Sequence, residues 1–197
     1  MRPRLGGMIR LAFFCLAAFV AATPALAEAG APPAETSAAS RVDELLGRLA
    51  ETQDEDEAAG IVKSLEREWL RSGSDVSDLL MGRALQAFAA EDYDLALQLL
   101  DTVVSTQPDW AEGWNKRATV RFFAGDMAGS AADVAQTLKR NPRHVMALVG
   151  LGLILDQSGK HDDALKVLQR AHELAPHYKP VEDSLAKAKA EVAGQSL

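Results

Sequence analysis

From Arg41 onward, apolar residues recur at intervals of three and four with charged residues between them. That spacing keeps returning to one face of a 3.6-residue helix, so helices are expected along this whole region. No stretch alternates apolar and polar residues long enough to predict a strand, and the domain reads as all-α. The helices are themselves periodic. Pro108, Pro142 and Pro176 are evenly spaced, and Ala84, Ala118, Gly152 and Ala186 keep the same step. So do Leu80, Trp114 and Leu148, then Ala96, Ser130 and Ala164, and finally Leu100, Val134 and Leu168. Each unit breaks at one place, with Glu91-Asp92-Tyr93, Gly125-Asp126-Met127 and Gly159-Lys160-His161 separating a first helix from a second. The expected unit is therefore a helix hairpin whose small residues let its two helices approach closely. Such a hairpin cannot bury its apolar face alone, so neighbours must stack.

These positions resemble the tetratricopeptide repeat, a 34-residue pattern of W-x2-L-G-x2-Y, A-x3-F, A and P. The unit 145–178 carries the resemblance best through Leu148, Leu151, Gly152, Leu155, Ala164, Leu168, Ala171 and Pro176. The unit 111–144 keeps Trp114, Ala118, Val134 and Pro142, but has Arg117, Arg121, Ser130 and Thr137 where the pattern prefers apolar or small residues. The unit 77–110 keeps Leu80, Ala84, Ala96, Leu100, Val103 and Pro108. The resemblance implies a right-handed superhelical solenoid built from these three repeats. Residues 179–194 continue the register with charged positions, as a C-terminal capping helix would. Residues 41–74 read as an N-terminal helix pair or degenerate repeat, since stepping back by one period lands on Leu46, Ala50, Val62 and Trp69, with Ser74 in place of proline. Glycine in the run Arg71-Ser72-Gly73-Ser74-Asp75 stops that pair, and serine or aspartate can cap the helix that follows.

The first 27 residues have a different character. Arg2, Arg4 and Arg10 precede the apolar run 11–22, and Ala25-Leu26-Ala27 follows it. This is the layout of a secretory signal peptide, with cleavage expected after Ala27. The run is short against the roughly 20 residues a helix needs to cross a bilayer, so an uncleaved anchor is the weaker reading. The single cysteine, Cys15, leaves with the signal, and no disulfide is available to the rest. Residues 28–40, small, polar and proline-bearing, read as a flexible linker. Cleavage removes three arginines and no acid, leaving 18 basic against 28 acidic side chains, a formal charge of −10. That balance argues against nucleic acid as a partner. A periplasmic or secreted protein with no membrane segment after cleavage is the expectation.

Catalytic and metal signatures are missing. The four histidines, His144, His161, His172 and His177, have neither a cysteine beside them nor an i, i+4 partner, so they read as surface or packing residues. Glu91 with Asp92, and Asp162 with Asp163, fall at helix starts, where carboxylates cap and oppose the helix dipole. Arg83 and Arg117 occupy equivalent places one residue before the small packing position and are expected to point into the helix interface. Asp133 is the matching acid for Arg117, which suggests a structural ion pair. No cofactor, metal or catalytic residue is assigned.

The family resemblance implies a concave groove lined by the first helices of successive repeats. Carried over position by position, its candidates are Met81, Leu85 and Phe88, then Asn115, Thr119 and Phe122, then Met146, Val149 and Leu153. Where relatives that grip the terminal carboxylate of chaperones use Lys and Asn, this chain has Met81, Leu85, Met146 and Gly150, and Lys116 is the polar exception. The groove thus suits an apolar partner segment, although in so short an array the terminal helices could cover it. The expected function is non-catalytic: a protein–protein interaction module or scaffold in the bacterial envelope. A homo-oligomerising structural protein is the alternative, and an enzyme on a repeat scaffold a remote third.

Overall fold

The computed structural model describes residues 38–194, so the signal peptide and most of the linker lie outside the described residues. Residues 38–40, expected to be linker, form the first turn of a helix instead. Nine helices and no strands occur among the described residues: α1 (Ala38–Glu51), α2 (Glu55–Trp69), α3 (Asp75–Ala89), α4 (Tyr93–Thr106), α5 (Ala111–Phe123), α6 (Met127–Arg140), α7 (Val145–Gln157), α8 (His161–Leu174) and α9 (Lys179–Gly194).

Three hairpins, α3–α4, α5–α6 and α7–α8, repeat the same local chemistry. Each first helix ends with a backbone N–H reaching back five residues, from Asp92 to the Ala87 carbonyl, Asp126 to Arg121 and Lys160 to Leu155, each at 2.9 Å. This closure places the preceding residue in the left-handed region. Gly125 (φ 85°) and Gly159 (φ 72°) accept that conformation without strain, whereas the first repeat puts Glu91 there at φ 60°. Asp92 and Asp126 then cap the second helices by accepting the N–H of Leu95 and Gly129. The second helices stop at Gln107, Asn141 and Ala175, each immediately before proline, which cannot continue a helix.

Within each hairpin the small positions sit at the crossing. A methyl group added at Gly152 would lie 2.6 Å from the Leu168 side chain, so only glycine fits there. Ser130 donates its hydroxyl to the Ala118 carbonyl at 2.8 Å, making its polar group part of the seam. In the first hairpin, Ala84 and Ala96 are buried beside Leu100. α9 closes the C-terminal side by packing Leu185 and Ala188 on Leu168.

Apart from Leu70, the C-cap residue of α2, which packs on the α3–α4 cluster, the α1–α2 pair buries its core elsewhere. Its buried residues, Leu46, Leu49, Ala58, Ile61, Val62 and Leu65, join Val145, Leu148 and Val149 of α7, Ala171 and Ala175 from the end of α8, and Val181 of α9. α7 explains why. Its sequence, VMALVGLGLILDQ, is apolar around nearly its whole circumference, and a helix of that kind must be covered on more than one side. α2 supplies the extra cover. Trp69 stacks on His144 with ring centroids 4.3 Å apart, the Trp69 carbonyl accepts the Trp110 indole N–H at 2.8 Å, and Arg143 pairs with Asp43 of α1.

Candidate partner-binding groove

α5 and α7, the first helices of the second and third repeats, lie side by side and leave a cleft of about 330 Å³ between them. That is within the range of small ligand clefts. One wall presents Asn115, Lys116, Thr119, Phe122 and Phe123 from α5, the other Met146, Val149, Gly150, Leu153 and Ile154 from α7, and Glu66 of α2 overhangs it. The spacing on each helix is the i, i+3, i+4, i+7 pattern of a single face. Seven of the ten groove positions expected from sequence meet here: Asn115, Lys116, Thr119, Phe122, Met146, Val149 and Leu153.

The three from the first repeat do not. Met81 is 2% exposed, enclosed with Ala84, Ala87, Ala96, Leu100 and Val120, and cannot reach a ligand. Leu85 and Phe88 pack on the same cluster, because α3 turns this face toward α4 and α5. Phe88 continues outward as an aromatic chain, with Phe123 edge-on at 5.4 Å and Phe122 a further 5.7 Å from Phe123. Phe123, 58% exposed, was not anticipated and forms one lip of the cleft.

The opposite end of the cleft is polar and tightly organised. Glu112, buried at the start of α5, accepts from the His144 ring at 2.8 Å, from Asn115 Nδ2 at 3.2 Å and from Lys116 Nζ at 2.9 Å. His144 Nδ1 accepts the Ala147 N–H and thereby caps α7, which assigns the ring proton to Nε2 and makes the ring a donor to Glu112. Burial pushes the Glu112 carboxyl up, but the His144 and Lys116 contacts outweigh it and hold the group below the usual carboxylate range. Lys116 is thus already committed to a carboxylate. Glu66 forms no ion pair with any described residue. It adds to burial in pushing the Tyr178 phenol up.

Behind the cleft, Arg117 makes the expected pair with Asp133, both its Nε and Nη2 donating at 2.8 Å, and Nη1 reaches Asp101 at 2.8 Å. Asp133 is 2% exposed and also lies 3.1 Å from Arg121 Nη1. Asp133 holds the Arg117 guanidinium firmly charged, ahead of the opposing effect of burial. Arg83, expected in the interface, is exposed instead: the place matching Asp133 one repeat earlier is Leu99, which offers no acid. Three histidines besides His144 are dispersed, His161 on Asp156 at 2.8 Å, His177 3.8 Å from Glu182, and His172 with a buried Nδ1 that has no hydrogen-bond partner. No group of three metal-ligating side chains occurs among the described residues.

The family model described as tetratricopeptide repeat matches residues 115–179. A TPR repeat-containing protein of Rhizobium etli is 34% identical over 161 residues, an alignment spanning 82% of this chain and 79% of that protein. Among solved structures, the first TPR of Spaghetti (RPAP3), bound to HSP90 peptide SRMEEVD, superposes with a TM-score of 0.59 at 21% identity over 61% of this chain and 95% of that one. The TPR2B-domain:pHsp70 complex of yeast Sti1 gives 0.56 at 17% identity, over 60% of this chain and 99% of that one. With repeated hairpins, an even sequence period and these likenesses, the chain belongs to the tetratricopeptide repeat family.

Proposed function

We propose that this chain is a non-catalytic interaction module that holds a segment of another protein in the cleft between α5 and α7, and that it does so in the bacterial envelope after export. The observation that carries the reading is the cleft itself: a row of apolar side chains from two successive first helices, left open where α2, α8 and α9 cover the other faces of α7. The solved TPR domain of Spaghetti holds an HSP90 peptide and that of Sti1 is in complex with pHsp70, which supports a peptide-like occupant for the related surface. Export rests on the signal-like character of residues 1–27.

Affinity capture from an envelope fraction, with the wild-type chain and with Phe122→Ala and Leu153→Asp variants, tests the reading. Both side chains are partly exposed on the cleft walls, so each variant is expected to keep its fold and lose the captured protein. Capture that both variants retain would refute the groove. A sedimentation concentration series distinguishes self-association, which would appear as a mass above the monomer.

A further inference from the structure

We propose that the cleft selects a basic, apolar segment: an aromatic or aliphatic anchor at the Phe122–Leu153 end, with a lysine or arginine at the opposite end facing Glu66. This rests on the groove reading above and specifies its ligand.

The argument begins with direction. α5 and α7 present their residues in parallel, so Asn115, Lys116 and Met146 mark one end of the cleft, and Phe122, Phe123, Leu153 and Ile154 the other. Glu66 belongs to the first end. Trp69, one helical turn beyond Glu66 on α2, stacks on His144 just ahead of α7, and its carbonyl takes the indole N–H of Trp110 just ahead of α5. From Lys116 to Phe123 is about seven residues of helix, about 10 Å at roughly 1.5 Å per residue. An extended ligand covers that distance in about three residues and a helical one in about seven.

Charge decides what the polar end accepts. Helix N-termini attract anions, and two converge here, but Glu112 already sits in the first turn of α5 and His144 caps α7. Lys116 is neutralised by Glu112, whose carboxylate is further satisfied by His144 and Asn115. The remaining charge is the Glu66 carboxylate, half-buried at the mouth and without an ion-pair partner among the described residues. An acidic ligand would be repelled there. A cationic one would find an acceptor whose partial burial strengthens the pair relative to open water. At the far end, the exposed Phe123 ring and its neighbours offer apolar area to the anchor.

Selection of a displayed random-peptide library on the full chain tests this without knowledge of the natural partner. The enriched peptides are expected to pair an aromatic or branched aliphatic residue with Lys or Arg three or seven positions away. Glu66→Gln, checked for unchanged helicity, is expected to weaken the best such peptide roughly tenfold, the loss of one charge-assisted hydrogen bond. Glu66→Lys is expected to turn the selection toward Asp and Glu. If peptides are enriched that need Leu153 but are acidic, or indifferent to Glu66, the charge proposal falls while the groove stands. If enriched peptides ignore Leu153→Asp, or none is enriched, both fall.

Discussion

Leu65→Ala probes the contact on which the shape of the cleft depends. Leu65 is 0% exposed on α2, within the cluster that joins the α1–α2 pair to α7, α8 and α9. The substitution removes three carbons, about 2.4 kcal/mol at roughly 0.8 kcal/mol per buried methylene. A cavity bounded by Leu49, Ile61 and other tightly packed neighbours cannot collapse fully, which brings the expected loss to about 3–4 kcal/mol. Urea unfolding followed by both far-UV circular dichroism and tryptophan fluorescence measures it. Trp69 and Trp110 meet at the seam, so fluorescence reports the docking of α2, whereas dichroism reports the helices as a whole. If α1–α2 is part of one core with the third repeat, the two transitions coincide in wild type and variant and move down together with little change in slope. Lys63→Ala, on the exposed face of the same helix, should stay within about 0.5 kcal/mol. A fluorescence transition that moves alone, with the dichroism midpoint unchanged, would show that the pair is a detachable cap and would refute the shared core.

Three further outcomes follow from the same structure. Asp133→Ala removes the buried acid shared by two arginines, leaving Arg117 only the exposed Asp101, and should cost about 2–3 kcal/mol, whereas Asp101→Ala, at the 59%-exposed end of the same network, should cost under about 1 kcal/mol; chemical denaturation of the two variants side by side checks the ratio. Glu91→Gly relieves the left-handed residue at the first hairpin turn and should raise stability by roughly 1 kcal/mol, read as a higher urea midpoint. Because the folded Glu112 carboxyl lies below its unfolded value of 4.5, its contribution is complete above that pH and is lost as pH falls through the lower, folded value. Stability measured against pH should therefore fall in acid below about pH 4.5 for wild type, and Glu112→Gln, weaker at pH 7, should show a flatter acid limb.

The repeats were legible because their signals are local. Proline closing each unit, small residues at the crossings and a break between helices each act within a short stretch of chain, so Gly152 at a crossing and the Asp92 cap could be placed from the chain alone, whereas Asp162 and Asp163 lie in the first turn of α8 without capping it. Arg117 was legible for the same reason, its acid lying one helix away. Arg83 misled because its position repeats while its partner does not, Leu99 standing where Asp133 stands later. The seat of α1–α2 was not legible. It is fixed by contacts across long stretches of chain, such as Asp43 with Arg143 and Trp69 with His144, and the register that places Trp69 in a degenerate repeat does not reveal them. One signal did point there: α7 has almost no polar face, so it needs cover beyond its own hairpin partner. The same seat places Glu66 over the cleft, so the residue that sets the groove's charge was missed with it.

The seat of α2 on the third repeat underlies both the boundary of the cleft and its charge, and proton NMR tests it directly. Nuclear Overhauser contacts are expected between the ring protons of Trp69 and His144, whose centroids lie 4.3 Å apart, together with slow exchange of the Trp110 indole proton bonded to the Trp69 carbonyl. Trp69 contacts confined to α3, with a freely exchanging Trp110 indole, would mean that the pair stacks ahead of the first repeat and would contradict the account.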